Sequence, residues 1–300
     1  YEEVMAPSIS RGQENNSDLV ITSDPDADRM GVGVKKNLGS SKLQRITGNE
    51  VGALLTHFIL SRLRDKNALS PSKLVIKTNV TTSLISDIAS SFHIRMISDL
   101  LVGFKYIGQI IEQLENKDDF VFAAEESLGY LAGTFVRDKD AAIASLLFAE
   151  MTSWLKDQGK SVIEYLDEMY QDYGYYKNIL HTSHMKGKSG FVMKKNIMQG
   201  LRAHPPAELA GRKVIRIVDR LPEEKRKPEQ YKVGATGDQL TFVLSEDERT
   251  CIAVRPSGTE PVLKYYIQHY QKSEGSLEKT KKEVDAVAHE LEEAIVSYRF

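Results

Sequence analysis

The sequence lacks the features that mark several classes of protein. It has one cysteine, Cys251, among 300 residues, so it offers neither a disulfide framework nor a cysteine-based zinc site. No apolar run approaches the roughly 20 residues that a helix needs to cross a bilayer, and the polar amino-terminal stretch does not resemble a signal peptide. The 40 basic and 42 acidic side chains give a net charge of −2, which argues against a nucleic-acid or membrane-surface binder. We therefore expect a soluble, cytoplasmic protein.

The pattern of apolar residues predicts more than one domain. Apolar residues make up 41% of the chain and charged residues 27%, which is the balance of a globular protein with a real core. From about residue 42 to residue 156, short apolar strands alternate with longer helical patterns, which predicts a parallel α/β layer. Few strands alternate with helices after Gly159, which favours an α+β domain, and we interpret the tyrosine-rich segment 165–176 as the junction. Residues 1–18 are polar and without a regular pattern.

The strongest local signal is the segment Asp-Pro-Asp-Ala-Asp-Arg, which directly follows a predicted short strand. On an extended backbone Asp24, Asp26 and Asp28 would point the same way. A cation such as Mg²⁺, which prefers oxygen ligands, would relieve their repulsion. An EF-hand shares this spacing, but it requires Gly where Arg29 stands and Glu where Lys35 stands. Arg29 beside the carboxylates favours a site that also meets a phosphoryl group; the alternative is a solvated acidic turn.

Two later loops carry polar groups that suit a sugar phosphate. The segment Ala-Glu-Glu-Ser-Leu-Gly-Tyr at 124–130 follows a predicted strand. Its carboxylates and hydroxyl suit the hydroxyl groups of a sugar, although a structural turn is an equal alternative. The segment Arg-Pro-Ser-Gly-Thr-Glu-Pro at 255–261 lies between two predicted strands. Its guanidinium, hydroxyls and glycine-turned backbone can bind a phosphate, although loops of this composition are more often simple turns.

Three other segments receive no chemical role. His181 and His184 lack a third metal ligand, and we interpret them as solvated loop residues. The segment Gly187-Lys188-Ser189 lacks the first glycine of a phosphate-binding P-loop. The highly charged segment 223–230 is predicted to be a solvated loop.

Taken in order, the acidic, carboxylate–serine and arginine–serine loops resemble the α-D-phosphohexomutase family, the phosphoglucomutases and phosphomannomutases. The segments at 103–108 (Gly-Phe-Lys-Tyr-Ile-Gly) and 137–140 (Arg-Asp-Lys-Asp) are also similar to family segments, and the resemblance extends from about Asp18 to Tyr266. Members of this family have four domains, the first of which carries a phosphorylated serine in a T-A-S-H-N-P-like loop. The present sequence contains no S-H-N-P.

The resemblance implies a carboxyl-terminal portion of such an enzyme. Residues 1–41 would be the end of the α/β domain that carries the metal loop. Residues 42–168 would form a parallel α/β sugar-binding domain, and residues 169–300 an α+β phosphate-binding domain. The missing amino-terminal domains would be partners of this chain. We expect the chain alone to be inactive, because it has no phosphoserine.

The resemblance also implies a reaction and a set of site residues. The whole enzyme would interconvert glucose 1-phosphate and glucose 6-phosphate through a phosphoserine, with glucose 1,6-bisphosphate as intermediate and activator. The implied metal ligands, for Mg²⁺, are Asp24, Asp26 and Asp28. The implied catalytic groups are Arg29, which would steady the transferring phosphoryl group, and Lys139, a candidate acid or base. The implied substrate ligands are Glu125 and Ser127 for the sugar, Arg255, Ser257, Gly258 and Thr259 for the non-reacting phosphate, and Lys77 and Lys105 along the cleft.

The sequence departs from the family pattern in ways that leave the substrate open. Ala124 stands where the sugar loop usually begins with glycine. The segment 100–103 replaces a T-x-T-G pattern, which would remove a hydroxyl contact to the sugar. The Glu-Glu-Ser form resembles glucose-specific members, whereas the Asp-Pro-Asp-Ala-Asp-Arg form points to a branch that includes phosphopentomutases. A mannose, pentose or amino-sugar phosphate mutase, and a non-catalytic sugar-phosphate-binding fragment, stay open as alternatives.

Overall fold

The fold is seen in a computed structural model that describes residues 2–185, 187–221, 233–234 and 236–299. Two compact units make up the chain, Tyr1–Tyr173 and Gly174–Phe300. The division falls inside the tyrosine-rich segment, where Gly174 follows the last helix of the first unit with a positive φ of 95°. The three-domain division, with boundaries after residues 41 and 168, stays a prediction.

The first unit combines two sheets with six helices in its described residues. The helices are α1 (Glu2–Glu14), α2 (Gly48–Asp65), α3 (Leu84–Ser91), α4 (Phe104–Gln113), α5 (Ala141–Asp157) and α6 (Val162–Tyr173). The strands are β1 (Leu19–Ser23), β2 (Met30–Lys35), β3 (Leu43–Ile46), β4 (Leu74–Thr78), β5 (Arg95–Leu100), β6 (Phe120–Glu125) and β7 (Gly129–Ala132). Strands β1 to β3 form an antiparallel sheet, and the second sheet has the order β5-β4-β6-β7.

The second sheet of this unit places three strand ends at one edge. Strand β4 pairs in parallel with both β5 and β6, whereas β7 is an antiparallel edge strand. Leu74 and Ile76 of β4 are fully buried with Ile107 and Ile111 of α4, which explains the unbroken apolar run that a sheet covered on its faces requires. The loops that follow Thr78, Leu100 and Glu125 therefore leave the sheet at the same edge, where open α/β sheets usually bind ligands.

The second unit is built on one antiparallel sheet. Its elements are β8 (Tyr175–His184), α7 (Gly187–Ala203), β9 (Glu208–Leu209), β10 (Arg212–Lys213), β11 (Arg216–Asp219), β12 (Leu240–Val243), β13 (Cys251–Pro256), β14 (Val262–Gln271) and α8 (Leu277–Ser297). The main sheet has the order β11-β12-β13-β14-β8, and β9 and β10 form a separate pair. The apolar stripe of α8, which includes Val284, Leu291 and Ile295, is buried. Leu291 and Ile295 pack in one core with Phe242, Ile252 and Ile267 of the sheet.

The predicted fold class is confirmed. The first unit contains the parallel α/β layer, and the second has the α+β arrangement of an antiparallel sheet with helices. Among the described residues, no helix combines the length and the apolar character that crossing a membrane demands.

The amino-terminal segment that we predicted to be irregular is the helix α1. Met5 of this helix is buried, and Ile9 packs onto Gly33 of β2 so closely that a Cβ there would lie 2.0 Å from Ile9 Cδ1. The prediction was wrong because few of the helix residues are apolar and Pro7 interrupts them. The surface that buries this helix is formed by the three strands that follow it, β1 to β3.

Other elements also differ from the sequence pattern. The predicted strand before the acidic segment is β1, and it pairs antiparallel with the later strand β2. Strands β2, β3, β7 and β8 were not predicted. His181 and His184 belong to β8 and not to a loop, and His181 Nδ1 lies 2.9 Å from Glu292 Oε1 of α8. The charged segment 223–230 lies outside the described residues.

Candidate active site

The acidic loop between β1 and β2 is a tight turn. Asp24 Oδ1 accepts the backbone N–H groups of Asp28 at 3.1 Å and Arg29 at 3.0 Å, and Ala27 has a φ of 55°. One oxygen from each of Asp24, Asp26 and Asp28 lies within 4.8 Å of the others. The expectation of an extended backbone was therefore wrong, and the turn itself brings the three carboxylates together at the cost of a left-handed alanine.

The surroundings of the loop favour the ionised form of Asp24. Burial opposes the ionisation of Asp24, but the backbone N–H of Arg29, the side chain and N–H of Asp28, and the Arg29 charge together lower its pKa. Arg29 Nε lies 3.9 Å from Asp24 Oδ2 and 3.8 Å from Asp28 Oδ1. The buried Asp28 Oδ1 accepts no hydrogen bond from the described part of the chain. Three converging carboxylates with oxygens to spare fit a hard divalent cation.

Lys139 lies against this loop, although it is more than a hundred residues away in the sequence. Its Nζ is 2.6 Å from Asp28 Oδ2 and 3.2 Å from Asp138 Oδ1, and its side chain is 14% exposed. Burial lowers the pKa of Lys139, but the hydrogen bond to Asp28 and the charge of Asp138 outweigh it and raise the pKa. The next residue, Asp140, caps α5 by accepting the N–H of Ala142 at 2.7 Å. The start of that helix thus holds Lys139 in place.

The carboxylate–serine loop turns from β6 to β7 beside the acidic loop. The N–H of Met30 donates to Leu128 O at 3.0 Å, and Arg29 forms an isolated bridge with Gly129. Leu128 has a φ of 71°, a conformation that a bulky residue rarely adopts. The structure therefore joins two of the predicted loops through the backbone. The Lys139 side chain contacts both loops: its Nζ lies 2.6 Å from Asp28 Oδ2, and its Cδ packs on Gly129 so closely that a Cβ there would lie 2.6 Å away.

Glu125 is the most perturbed acid of this cluster. It is 3% exposed, and its Oε1 accepts the N–H of Gly103 at 2.8 Å. Burial and the neighbouring Glu126 raise the pKa of Glu125 to about 7, against the opposing effects of Gly103 and Lys139. A carboxyl group with such a pKa can either donate or accept a hydrogen bond near neutral pH. Ser127, two residues on, is half-buried.

Lys77 donates hydrogen bonds to the backbone of its own segment. Its side chain is buried, and Nζ donates to Thr81 O at 2.9 Å and to Thr78 O at 3.3 Å. It therefore braces the loop that follows β4. Lys105 is exposed on α4, with Nζ 4.9 Å from the centre of the Tyr106 ring. A substrate role for either lysine stays a prediction.

Several residues that sequence reasoning missed position the carboxylate–serine loop. Thr81 Oγ1 accepts the N–H of Glu126 at 3.1 Å, and it also lies 3.4 Å from Glu126 Oε2. Gly48, the first residue of α2, approaches the loop so closely that a Cβ would lie 2.1 Å from Glu126 O. Tyr130 Oη donates to Gly48 O at 3.0 Å. The capping box of Thr47 and Glu50 marks the start of α2 in the sequence, but nothing in the sequence shows which loop Gly48 faces.

The predicted phosphate loop lies in the second unit, between β13 and β14. Arg255 lies on β13 opposite Lys264 and is half-buried, as is Ser257, whereas Gly258 and Thr259 are exposed. The Ser257 N–H donates to Val262 O at 2.9 Å, which closes the loop. Its backbone is thus a short connection whose middle faces solvent. In the first unit the structure brings together the acidic triad, Arg29, Lys139 and Glu125. In the second unit, the four residues assigned to phosphate lie at the end of β13 and in the loop that follows it, as their sequence order requires.

Comparisons with known proteins show which family this chain is similar to. Residues 47–173 match the family described as phosphoglucomutase/phosphomannomutase, alpha/beta/alpha domain III. The chain is 33% identical over 263 residues to a phosphoglucomutase of Staphylococcus aureus strain N315, covering 87% of this chain and 46% of that protein. The chain spans about half the length of the curated relatives it matches.

Solved structures show the same fold at lower identity. The open form of pp63/parafusin, a phosphoglucomutase from Paramecium, aligns with a TM-score of 0.62 and 17% identity, over 93% of this chain and 45% of that one. A phosphoglucomutase/phosphomannomutase family protein from Burkholderia thailandensis aligns with a TM-score of 0.58 and 13% identity, over all of this chain and 52% of that one. Residues 47–173 thus carry a domain of the phosphoglucomutase/phosphomannomutase family. The resemblance to the α-D-phosphohexomutase family that the motifs predicted is confirmed by these matches.

Proposed function

We propose that this chain supplies the metal-binding, sugar-binding and phosphate-binding loops of a phosphoglucomutase that interconverts glucose 1-phosphate and glucose 6-phosphate. The proposal includes a phosphoserine donor and a glucose 1,6-bisphosphate intermediate, and it includes Mg²⁺ as the cofactor. Because no S-H-N-P segment occurs in these 300 residues, the phosphoserine would come from additional domains, and the chain alone would not turn over substrate.

One observation carries the proposal. The acidic triad and the carboxylate–serine loop, which are about a hundred residues apart in sequence, are joined by the Met30–Leu128 hydrogen bond and by Lys139 on Asp28. A solvated acidic turn would need neither connection. The contact supports the proposal, because a cation site at the triad and a sugar site at the carboxylate–serine loop would then lie side by side, as the transfer of a phosphoryl group to a sugar hydroxyl requires.

Each group has a role that its position supports. Asp24, Asp26 and Asp28 would hold Mg²⁺, which neutralises charge on a transferring phosphoryl group when bound. Arg29 adds a fixed positive charge beside them. Lys139, with its raised pKa, is charged near neutrality and would stabilise the phosphoryl oxygens; as a base it would first have to give up a proton that Asp28 and Asp138 help to retain.

The sugar assignment rests on the carboxylate–serine loop. The Glu125 carboxyl group, held by Gly103, and the Ser127 hydroxyl would bind sugar hydroxyl groups. The Glu-Glu-Ser form and the phosphoglucomutase relatives favour glucose over mannose or pentose. Arg255 and the loop that follows it would hold the phosphate that is not reacting, through a guanidinium fork and backbone N–H groups.

Binding to the isotope-labelled 300-residue chain tests the proposal without requiring turnover. Glucose 6-phosphate titrated in the presence of Mg²⁺ should shift the backbone amide resonances of 255–260 and of 125–129. Arg255→Ala should remove most of the binding, because each lost hydrogen bond to a charged partner costs about 1.5–3 kcal/mol, or roughly tenfold to a hundredfold in affinity. Lys213→Ala, an exposed lysine of the same unit, is the matched control.

The outcomes separate the elements of the proposal. Shifts confined to residues outside 255–260, or unchanged binding by Arg255→Ala, would refute the phosphate assignment. If mannose 6-phosphate or ribose 5-phosphate binds more tightly than glucose 6-phosphate and causes larger shifts at 125–129, the assignment of a glucose phosphate as the substrate is wrong.

A further inference from the structure

The loop between β13 and β14 is held from inside by a lysine that the sequence motif does not include. Lys194 of α7 is 9% exposed. Its Nζ donates to Glu260 O at 2.7 Å and also to Ser257 O. The Phe191 ring centre lies 4.8 Å from the same Nζ, within the range of a cation–π interaction. One ammonium group therefore holds both ends of the four-residue loop.

The contact between Lys194 and Ser257 O also fixes the direction of the Gly258 N–H. The described part of the chain has no cis peptide bond, and the C=O and N–H of a trans peptide point in opposite directions. Because Ser257 O points at Lys194, the N–H of Gly258 points away from it, toward the exposed side of the loop. No acceptor for the Gly258 N–H occurs in the described part of the chain.

The glycine at position 258 also indicates a ligand on the exposed side of the loop. Its φ is not in the left-handed region, and a Cβ added there would meet no atom within 4 Å. Neither backbone strain nor crowding by this chain therefore requires glycine at this position. A glycine is useful where a ligand approaches the backbone closely, and an outward N–H beside open space is the arrangement that an anion needs.

We propose that Lys194 is a positioning residue of the phosphate loop: it fixes the carbonyls of Ser257 and Glu260 inward and thereby aims the Gly258 N–H at the phosphate monoester of the substrate. This inference rests on the proposed phosphate-binding function of the loop. The buried ammonium also places a positive charge behind the bound dianion.

Three variants of the full chain test the inference with glucose 6-phosphate and with inorganic phosphate as probes. Lys194→Met keeps the length of the side chain and removes the ammonium. It should weaken binding of both probes by about tenfold or more, as expected for a misdirected hydrogen bond to a charged partner, and it should shift the Gly258 amide resonance in the free protein. Lys194→Arg should recover most of the affinity, because a guanidinium can donate to both carbonyls. Lys195→Met, on the same helix but exposed, should bind like wild type.

A second measurement on the wild-type chain keeps the test valid if Lys194→Met fails to fold. Adding glucose 6-phosphate should slow hydrogen exchange of the Gly258 amide more than that of Glu260, whose N–H already donates to Ser257 Oγ at 3.3 Å. Unchanged exchange at Gly258, or wild-type affinity in a folded Lys194→Met chain, would overturn the inference. Arg255→Ala distinguishes this failure from that of the proposed function: if it abolishes binding while Lys194→Met does not, the loop binds phosphate without help from Lys194.

Discussion

The two loop systems of this molecule are built in opposite ways. In the first unit, the acidic and carboxylate–serine loops are joined by backbone bonds, and Lys139 bridges acids of its own and another segment. Most of their charged groups are buried or half-buried, and Glu125 has a strongly raised pKa. In the second unit, a single loop is held from below by Lys194, and its middle residues are exposed.

The two loop systems are held in different ways because they contain different charges. Several carboxylates brought close together repel one another, so their loops need cations and rigid backbone contacts before any ligand arrives. A loop that presents N–H groups carries no such repulsion, and one buried cation is enough to orient it. We therefore expect the first system to be sensitive to pH and to metal, and the second to respond mainly to phosphate.

The largest expected effect comes from removing the acidic triad. The triple variant Asp24→Asn, Asp26→Asn and Asp28→Asn should lose at least about a hundredfold in affinity for Mn²⁺ or Mg²⁺, because three charged oxygen ligands become neutral. Mn²⁺ relaxation or calorimetry measures this loss, and Asp157→Asn, an exposed acid of the same unit, is the control. Phosphate binding by the loop at 255–260 should be unaffected in metal-free buffer. Unchanged metal affinity would make the triad a solvated turn.

The next effect is a pH dependence of stability that Glu125 introduces. Its pKa in the folded protein is about 7, raised from 4.5, so the folded state binds the extra proton. Its stabilisation is therefore complete below the unfolded pKa, and it is lost as the pH rises through the window between 4.5 and about 7.

The variant Glu125→Gln, which can still accept the N–H of Gly103, should remove that slope. At about pH 8 it should be more stable than wild type by about 1–3 kcal/mol, and near pH 4.5 the two should match. Urea denaturation at several pH values checks this, with the exposed Glu150→Gln as control. Parallel pH profiles for wild type and Glu125→Gln would mean that Glu125 ionises freely in the folded chain.

A smaller effect is expected at Lys139. Because its ammonium lies 2.6 Å from Asp28 Oδ2, it competes with a cation for that oxygen. Lys139→Met should therefore raise the affinity for Mn²⁺ by up to about tenfold, the range of one partly buried ion pair. Lys156→Met removes an equal charge that is paired with Asp18 instead, and it should change the affinity far less. Weaker metal binding by Lys139→Met would show that the lysine supports the acidic loop and does not compete at it.

Most of the regular elements, and the family that the loops resemble, could be predicted without the structure. The alternation of short apolar strands with longer helical patterns predicted the parallel α/β layer of the first unit, because burial against a neighbouring layer imposes the periodicity. The acidic, carboxylate–serine and phosphate loops were each placed after a strand, and the family to which they point is confirmed. Helix α1 escaped prediction because the surface that buries it, around Gly31 and Gly33, is formed by a later strand.

Which polar groups lie together could be seen only in the folded chain. The acidic triad converges through a turn with a left-handed Ala27, and not through the extended backbone that its spacing suggested. Lys139 on Asp28 and Lys194 on Glu260 join residues that are 66 to 111 positions apart. Such contacts produce no periodic pattern in the sequence, because they depend on which distant segments pack together. The residue types of each loop can therefore be read from the sequence. The orientation and burial of their side chains, and the raised pKa of Glu125, arise only when distant segments pack together.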